Sequence, residues 1–369
     1  MNNYKICVYA ICKNEEKFID RWAKSVAEAD YIVVLDTGST DKSYELLQNN
    51  PQIHAYQEII SPWRFDTARN KALSYVPRDI DICISLDLDE VLTPGWHHKI
   101  CSAWYKKTTA ATCREIWNFT KDGKEDGTFW PIRIHSRNLY TWQHAIHEVL
   151  MYKGTTLPSL ITLKGVEIHH HPDLDKKRDY LTMLKETVAR HPDEPHDLFY
   201  LGREYLFHKD YQEAIDTLTH YLSLSPFKEE RCNALCFMAK AYVELRQYNE
   251  AIKILEKAHM ESPTIREPLV DLAYIYYYKN NWEKVTDCID KVLKIKNNPK
   301  GFVSQGYAWD ATPYDLASFA YYRLGHYDAA LACAITCLYY EPTSERFIAN
   351  YHRLQRMVIS SICSLPITK

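Results

Sequence analysis

The chain has 369 residues and a formal net charge of −3, and 46% of its residues are hydrophobic and 25% are charged. This length is enough for two domains, and the weak negative charge excludes a global basic field that would attract nucleic acid. The eleven cysteines form no CxxC motif, so a paired-cysteine zinc site is not expected. We expect the cysteines to be reduced and the protein to be cytoplasmic.

The first third alternates between predicted strands and helices. Residues 4–12 and 31–36 are apolar runs typical of buried strands, and the helical segment 15–29 lies between them. A second helical segment, 66–76, precedes a third apolar run that ends in "CISLDLDE". Lys13 interrupts the first run, which favours a strand over a signal peptide. No run is long enough to cross a bilayer. This alternation predicts a mostly parallel sheet with helices on both faces and ligands at the carboxyl ends of its strands.

Two polar positions are predicted to begin helices in this part of the chain. Asn14 is the expected cap of the helix 15–29. Ser39 or Thr40, after the turn residue Gly38, is the expected cap of the next helix.

Carboxylates follow two of the predicted strands. Asp36 ends the second strand, and Asp87, Asp89 and Glu90 end the third. Buried carboxylates are costly unless they are paired or bind a metal. The chain can turn at a strand end so that two carboxylates reach one cation, and oxygen ligands suit Mg²⁺ or Mn²⁺ together with a diphosphate. The alternative is that these aspartates only cap a turn.

From about residue 196 strand signals give way to a repeat with four copies. In each copy one aromatic residue precedes another by six positions, and a small residue lies three positions before the first. The first aromatics are Tyr205, Tyr242, Tyr276 and Tyr321, the second are Tyr211, Tyr248, Trp282 and Tyr327, and the small residues are Gly202, Ala239, Ala273 and Ser318. The pattern resembles tetratricopeptide repeats, which are helix–turn–helix units that stack into a solenoid. We place the domain boundary near residue 190, giving domains 1–190 and 191–369.

Several motifs of the first domain together resemble the family-two inverting glycosyltransferases, which have the GT-A fold. The resemblance covers residues 4–171 and rests on "ICKNEE", "VVLDTGSTD", "WRFDTARNKAL" and "ISLDLDEVL". It implies an α/β nucleotide-sugar-binding domain in which Asp36 contacts the nucleoside base. It also implies that Asp87 and Asp89 bind the metal and the donor's diphosphate and ribose. Arg69, within the third motif, is expected to pair with phosphate, since arginine makes bidentate contacts.

Two histidine-rich segments, "YTWQHAIHEVL" and "VEIHHHPD", resemble related bacterial transferases that carry tetratricopeptide repeats. The resemblance implies that His147, Glu148 and His170 belong to the site. The two histidines could complete the metal shell or donate a hydrogen bond to the leaving phosphate. Inversion needs a base for the acceptor proton. Glu148 is the predicted catalytic base, with Glu90 and Asp126 as rivals, and Glu148 could instead orient His147.

A few further residues are left with two interpretations. Arg133 is a second candidate partner for phosphate. Three tryptophans could stack on a sugar or base but are expected to be buried: Trp63, Trp130 and Trp142. His144, His169 and His171 are expected to be surface or packed rings.

The combination of a transferase domain and repeats resembles the sublancin-type peptide S-glycosyltransferases. This resemblance implies a metal-dependent hexosyltransferase that moves a sugar from a UDP-sugar to a peptide or protein side chain bound by the repeats. The repeats could instead serve dimerisation. Two alternatives for the whole chain are a cytosolic transferase of cell-surface polysaccharide or lipopolysaccharide synthesis and a non-catalytic binding scaffold.

Overall fold

The protein is seen in a computed structural model that describes residues 4–119, 125–173, 179–297 and 305–363. The chain divides into two compact units, Met1–Thr187 and Val188–Lys369, beside the predicted boundary near residue 190. The side chain of Asp126, one of the predicted rival bases, lies outside the described part. No helix among the described residues combines the length and the apolar character that a membrane span requires.

The first unit is built on a mixed sheet. Its strands are β1 (Ile6–Cys12), β2 (Tyr31–Asp36), β3 (Ile53–Gln57), β4 (Ile82–Ser85), β5 (Glu90–Leu92), β6 (Ala110–Phe119), β7 (Glu125–Phe129), β8 (Ile132–Ser136) and β11 (Leu160–His170). They are ordered β3-β2-β1-β4-β8-β6-β11-β5, with β7 beside β6. Strands β9 (Tyr140–Gln143) and β10 (Val149–Tyr152) form a separate antiparallel pair. The expected parallel arrangement holds for β1 to β4, whereas β8 and β5 run antiparallel to their neighbours.

Helices cover both faces of the central strands. They are α1 (Ile19–Ser25), α2 (Ser43–Gln48), α3 (Phe65–Ser74) and α4 (Trp96–Ala103). A further helix, α5 (Tyr180–Arg190), crosses the division between the units. One apolar cluster contains the fully buried Trp22 and Trp96, and a second contains Tyr9 and Ala72. Strand β1 contributes to both clusters because alternate side chains point to opposite faces. This double burial explains why β1, β2 and β4 read as continuous apolar runs.

The predicted helix caps are wrong. Helix α1 begins at Ile19 and α2 at Ser43, and neither cap residue makes a side-chain capping bond. Asn14 has a positive φ of 56°, its side chain accepts from the Thr40 amide at 2.7 Å, and its own amide donates to Ser39 Oγ at 2.8 Å. The polar residues therefore join the loop after β1 to the loop after β2. This link shapes the sheet edge where Asp36 lies.

The described part of the second unit beyond α5 is helical. Its helices are α6 (Pro195–Phe207), α7 (Tyr211–Leu224), α8 (Lys228–Glu244), α9 (Tyr248–Glu261), α10 (Glu267–Tyr278), α11 (Trp282–Lys294), α12 (Thr312–Arg323), α13 (Tyr327–Tyr340) and α14 (Glu345–Cys363), with a short 3₁₀ turn at Gly306–Ala308. The second aromatic of each repeat is the first residue of the second helix. The small residue permits close helix contact: a Cβ on Gly202 would lie 2.5 Å from Leu218 Cγ.

Candidate functional site

The predicted carboxylates lie at one edge of the sheet. Asp36 ends β2 and pairs with Cys12, the last residue of β1. On the other side of β1, Tyr9 pairs with Ser85, and Asp87 follows two residues later. Neighbouring strands lie about 4.8 Å apart, so β2 and β4, which flank β1, lie about 10 Å apart across the sheet. That distance can be spanned by one nucleotide diphosphate.

Asp36 is fully buried and carries one oxygen without a hydrogen-bond partner. Its Oδ1 accepts from the amides of Gly38 and Ser39 and from Gln57 Nε2, each at 3.0 Å. Its Oδ2 is buried and has no partner among the described residues. A buried acceptor without a hydrogen bond lowers the stability of the fold by about 1–3 kcal/mol, and by more when the group is charged. The three bonds to Oδ1 fix the carboxylate and leave the acceptor capacity of Oδ2 unused by the residues that the structure describes.

Arg69 joins the two predicted acidic site residues Asp87 and Glu148. Its Nη1 and Nη2 donate to the two oxygens of Asp87 at 2.7 and 2.9 Å, and its Nε donates to Glu148 Oε1 at 2.5 Å. Burial opposes the charge of Arg69, but Asp87 and then Glu148 outweigh it, so the pKa of Arg69 is raised. The structure thus brings three predicted residues together. Arg69 is engaged by carboxylates rather than standing open for phosphate.

The neighbouring residue Asn70 links helix α3 to strand β9. Its side-chain amide bonds both backbone groups of Trp142 in β9, donating to the carbonyl at 2.8 Å and accepting from the amide at 2.9 Å. The Trp142 ring lies 5.0 Å from the Arg69 guanidinium, and its Nε1 donates to the Tyr9 hydroxyl at 2.7 Å. Trp142 is buried as expected and orders the site. The β9–β10 pair brings Glu148 to Arg69.

Asp89, in the turn before β5, contacts His170 at the end of β11. His170 Nε2 lies 3.4 Å from Asp89 Oδ2, and its Nδ1 lies 2.9 Å from the Trp117 carbonyl. A carbonyl only accepts, so Nδ1 carries a proton and Nε2 faces the carboxylate. Burial lowers the pKa of His170, but the bond and charge of Asp89 outweigh it and the pKa is raised. The two atoms are close enough to share a proton or to bind one cation.

Glu90 shapes the turn and pairs with Arg133. Its Oε2 accepts from the Asp87 amide at 2.8 Å, and its Oε1 accepts from Arg133 at 2.7 Å. Arg133 also donates to the buried Glu115 at 3.2 Å. Burial raises the pKa of Glu90, with Arg133 opposing this effect. Arg133 is therefore a buried counter-charge, which removes the argument for it as a phosphate partner.

The remaining predicted residues have varied surroundings. His147 has a positive φ of 54°, and its ring lies 5.4 Å from the Tyr180 ring; its role as a metal ligand stays a prediction. His144 has a φ of 76°, and His169 Nε2 lies 3.3 Å from Glu167. The His171 amide donates to the Asp89 carbonyl at 2.7 Å. The Glu167 contact favours a packing role for the His169 ring, and the His171 ring stacks on the Phe119 ring with centroids 5.5 Å apart.

Sequence reasoning missed Trp117. The structure places its half-exposed ring directly against His170, with the ring centroids 4.6 Å apart. Of the three tryptophans considered for stacking, Trp142 is buried, whereas Trp130 is 45% exposed and its expected burial is wrong. Only the pairing of β6 with β11 brings Trp117 to the site. No alternation of polar and apolar residues marks it in the sequence, because Glu115 and Ile116 are adjacent and both buried.

Comparison with known proteins agrees with both halves of this interpretation. Residues 7–153 match the model for glycosyl transferase family 2, and residues 233–263 match a tetratricopeptide repeat model. The first match supports a glycosyltransferase with a nucleotide-sugar donor. The predicted fold, a GT-A-like α/β domain followed by all-α repeats, is confirmed.

The chain is also similar to solved structures of repeat proteins. MamA from Desulfovibrio magneticus RS-1 is 18% identical over 45% of this chain and 85% of that chain, with a TM-score of 0.37. A thermophilic TPR protein from Thermus thermophilus is 16% identical over 47% and 88%, with a TM-score of 0.35. The C-terminal part of a TPR repeat-containing protein from Cytophaga hutchinsonii is 15% identical over 49% and 66%, with a TM-score of 0.41.

Proposed function

We propose that the protein is a metal-dependent, inverting hexosyltransferase that moves a sugar from a UDP-sugar to a peptide or protein side chain. The observation that carries this proposal is the unpartnered, buried Oδ2 of Asp36 at the same sheet edge as Asp87 and Asp89. A base with an imide N–H, such as uracil, supplies the donor that Oδ2 needs. The diphosphate would then extend toward the aspartates that follow β4.

The donor set beside Asp89 fits Mn²⁺ or Mg²⁺. An imidazole nitrogen and a carboxylate oxygen 3.4 Å apart match neighbouring ligands of one ion. The bond from His170 Nδ1 to a carbonyl leaves the Nε2 lone pair facing Asp89, and a backbone partner of this kind is common in metal-binding histidines. We assign Asp89 and His170 as metal ligands, with Asp87 beside them holding Arg69. A bound ion would neutralise charge on the leaving diphosphate.

Glu148 is the proposed base. It would take the proton of the acceptor hydroxyl or thiol as that atom bonds to the anomeric carbon and the bond from this carbon to the diphosphate oxygen breaks. The pair with Arg69 uses Oε1, so Oε2 would receive the proton. The configuration at the anomeric carbon inverts, and UDP leaves with the electron pair of the broken bond.

The repeats are the proposed binding surface for a peptide or protein acceptor, because helical solenoids present extended concave surfaces. Dimerisation through the repeats is the alternative role. The unpaired cysteines among the described residues, most of them buried, support a cytoplasmic location. An acceptor of the cell-surface polysaccharide type remains the second candidate within the same reaction.

The direct test is a thermal-shift titration with UDP in the presence and absence of Mn²⁺. We expect stabilisation only with both, by an amount set by the ligand excess over its dissociation constant. Asp36→Asn can keep the three bonds to Oδ1 but replaces the free acceptor with an N–H₂ donor, so it should abolish the shift. Asp89→Asn should abolish the Mn²⁺-dependent shift, because it removes a proposed metal ligand. Asp20→Asn, at an exposed carboxylate, is the matched control.

Two results would contradict the proposal. An unchanged thermal shift with UDP in Asp36→Asn would show that Oδ2 does not bind the nucleotide. A shift that persists in EDTA would show that UDP binding does not require a metal. Release of UDP from a panel of UDP-sugars with Mn²⁺ then identifies the donor. Peptide acceptors are then tested with that donor. Association of the protein with membranes, together with transfer to a lipid-linked glycan, would favour the cell-surface polysaccharide candidate.

A further inference from the structure

We propose that Trp117, with Phe129 beside it, is an aromatic platform on which the hexose of the donor stacks. This inference rests on the proposed function and adds a residue that specifies the sugar rather than the nucleotide. The platform is the exposed face of the Trp117 indole together with the Phe129 ring, whose centroid lies 5.7 Å away.

Strand register places the platform beside the proposed metal ligands. Glu90 pairs with His170 between β5 and β11, and His169 pairs with Ile116 between β11 and β6. His170 is therefore next to Trp117. Side chains at paired positions lie on one face of a sheet, so Glu90, His170 and Trp117 form a row across three strands.

Trp117 is anchored at one side and open at the other. Its ring lies 4.6 Å from the His170 ring at an interplanar angle of 33°, and 51% of the residue is exposed. Its neighbour Ile116 is 1% exposed, and Glu115 is fully buried. An exposed indole next to the polar side chains of His170 and Asp89 can cover an apolar face of a bound molecule.

The donor's hexose is the ligand that fits this position. It is bonded to the diphosphate, so it must lie within about one ring's length of any ion held by Asp89 and His170. A pyranose ring presents C–H groups on its faces and hydroxyls at its edge. Its face would stack on the indole, leaving the hydroxyls free for the polar contacts that distinguish one hexose from another.

Substitution of Trp117 separates stacking from support of His170. The bond that His170 makes is to the backbone carbonyl of Trp117, and every substitution at this position retains that carbonyl. Trp117→Phe keeps a smaller aromatic face, whereas Trp117→Ala removes it. Trp130 is 45% exposed just after the end of β7, so Trp130→Ala is the matched control for losing an exposed indole.

The experiment is calorimetric titration of the full chain with UDP and with UDP-hexoses in the presence of Mn²⁺. We expect Trp117→Ala to leave the dissociation constant for UDP within about twofold and to raise that for the UDP-hexose about tenfold, a typical effect of one lost apolar contact. Trp117→Phe should lie between Trp117→Ala and the wild type. Trp130→Ala should match the wild type.

Three results would overturn the inference. Equal affinity of the wild type and Trp117→Ala for the UDP-hexose would show that the platform does not touch the sugar. An equal loss for UDP and UDP-hexose would show that Trp117 acts only through His170. Slower transfer with unchanged donor affinity would assign the platform to the acceptor. If wild-type protein binds UDP in none of these titrations, the proposed function fails and the inference fails with it.

Discussion

Arg69→Met tests whether the guanidinium is the counter-charge that allows two carboxylates to sit together at the site. The substitution keeps most of the apolar length but removes three charge-assisted bonds, at 2.5, 2.7 and 2.9 Å. Removing one partner of a buried charge network costs about 3–5 kcal/mol. The Asp87 side chain is 31% exposed and that of Glu148 is 10% exposed. Water screens the Asp87 carboxylate more than the Glu148 carboxylate, so we expect the free energy of unfolding to fall by about 3 kcal/mol, the lower end of this range.

The assay is urea unfolding followed by tryptophan fluorescence. Seven of the nine tryptophans lie in the first unit, so the signal reports mainly on the unit that contains Arg69. The double variant Arg69→Met/Glu148→Gln removes one of the two stranded charges and should recover about 1–2 kcal/mol. A loss below about 1 kcal/mol in Arg69→Met, or no recovery in the double variant, would refute the view that Arg69 mainly neutralises these carboxylates.

Three further predictions concern stability. Gly202→Ala should destabilise the second unit by about 1–3 kcal/mol, because its Cβ would lie 2.5 Å from Leu218 Cγ, and chemical unfolding should show the loss to be relieved by Leu218→Ala. Burial lowers the pKa of His135 from 6.5 to about 4, so the unfolded chain takes up the proton first. The stability that neutral His135 contributes is therefore complete above pH 6.5 and is lost as the pH falls toward 4, by at most about 1.4 kcal/mol per pH unit. The free energy of unfolding of His135→Asn should depend less steeply on pH in this range. Burial raises the pKa of Asp271 from 3.8 to about 6, so its stabilising effect is largest below pH 3.8 and is lost as pH rises toward 6. Asp271→Asn retains the acceptor for the Tyr307 hydroxyl and should raise stability at pH 7 by about 1–3 kcal/mol; equal melting temperatures of the two proteins would contradict this.

The helix caps show where local sequence rules fail in this chain. Asn14, Ser39 and Thr40 are good capping residues, and the rule assigns each to the helix that follows it. In the folded protein they bond to one another between two loops. Capping propensity describes a residue and its chain neighbours, so it cannot anticipate a partner 25 positions away. That partner exists only because β1 and β2 are paired.

Sequence alone determined the fold class, the repeats and the aspartates at the sheet edge. Continuous apolar runs identify doubly covered strands, and their polar ends must lie at a common edge when the strands are parallel. The six-residue spacing of aromatics identified the repeats because each helix pair needs the same groove filled.

Only the tertiary structure decided which residues act on one another. Arg69 and Glu148 are 79 positions apart and meet because β9 docks on α3. His170 and Trp117 are 53 positions apart and meet because β11 pairs with β6 in one register. The choice among several histidines, arginines and tryptophans depends on that register. A shift of one residue would turn each side chain to the opposite face of the sheet, and no local pattern encodes the pairing between distant strands.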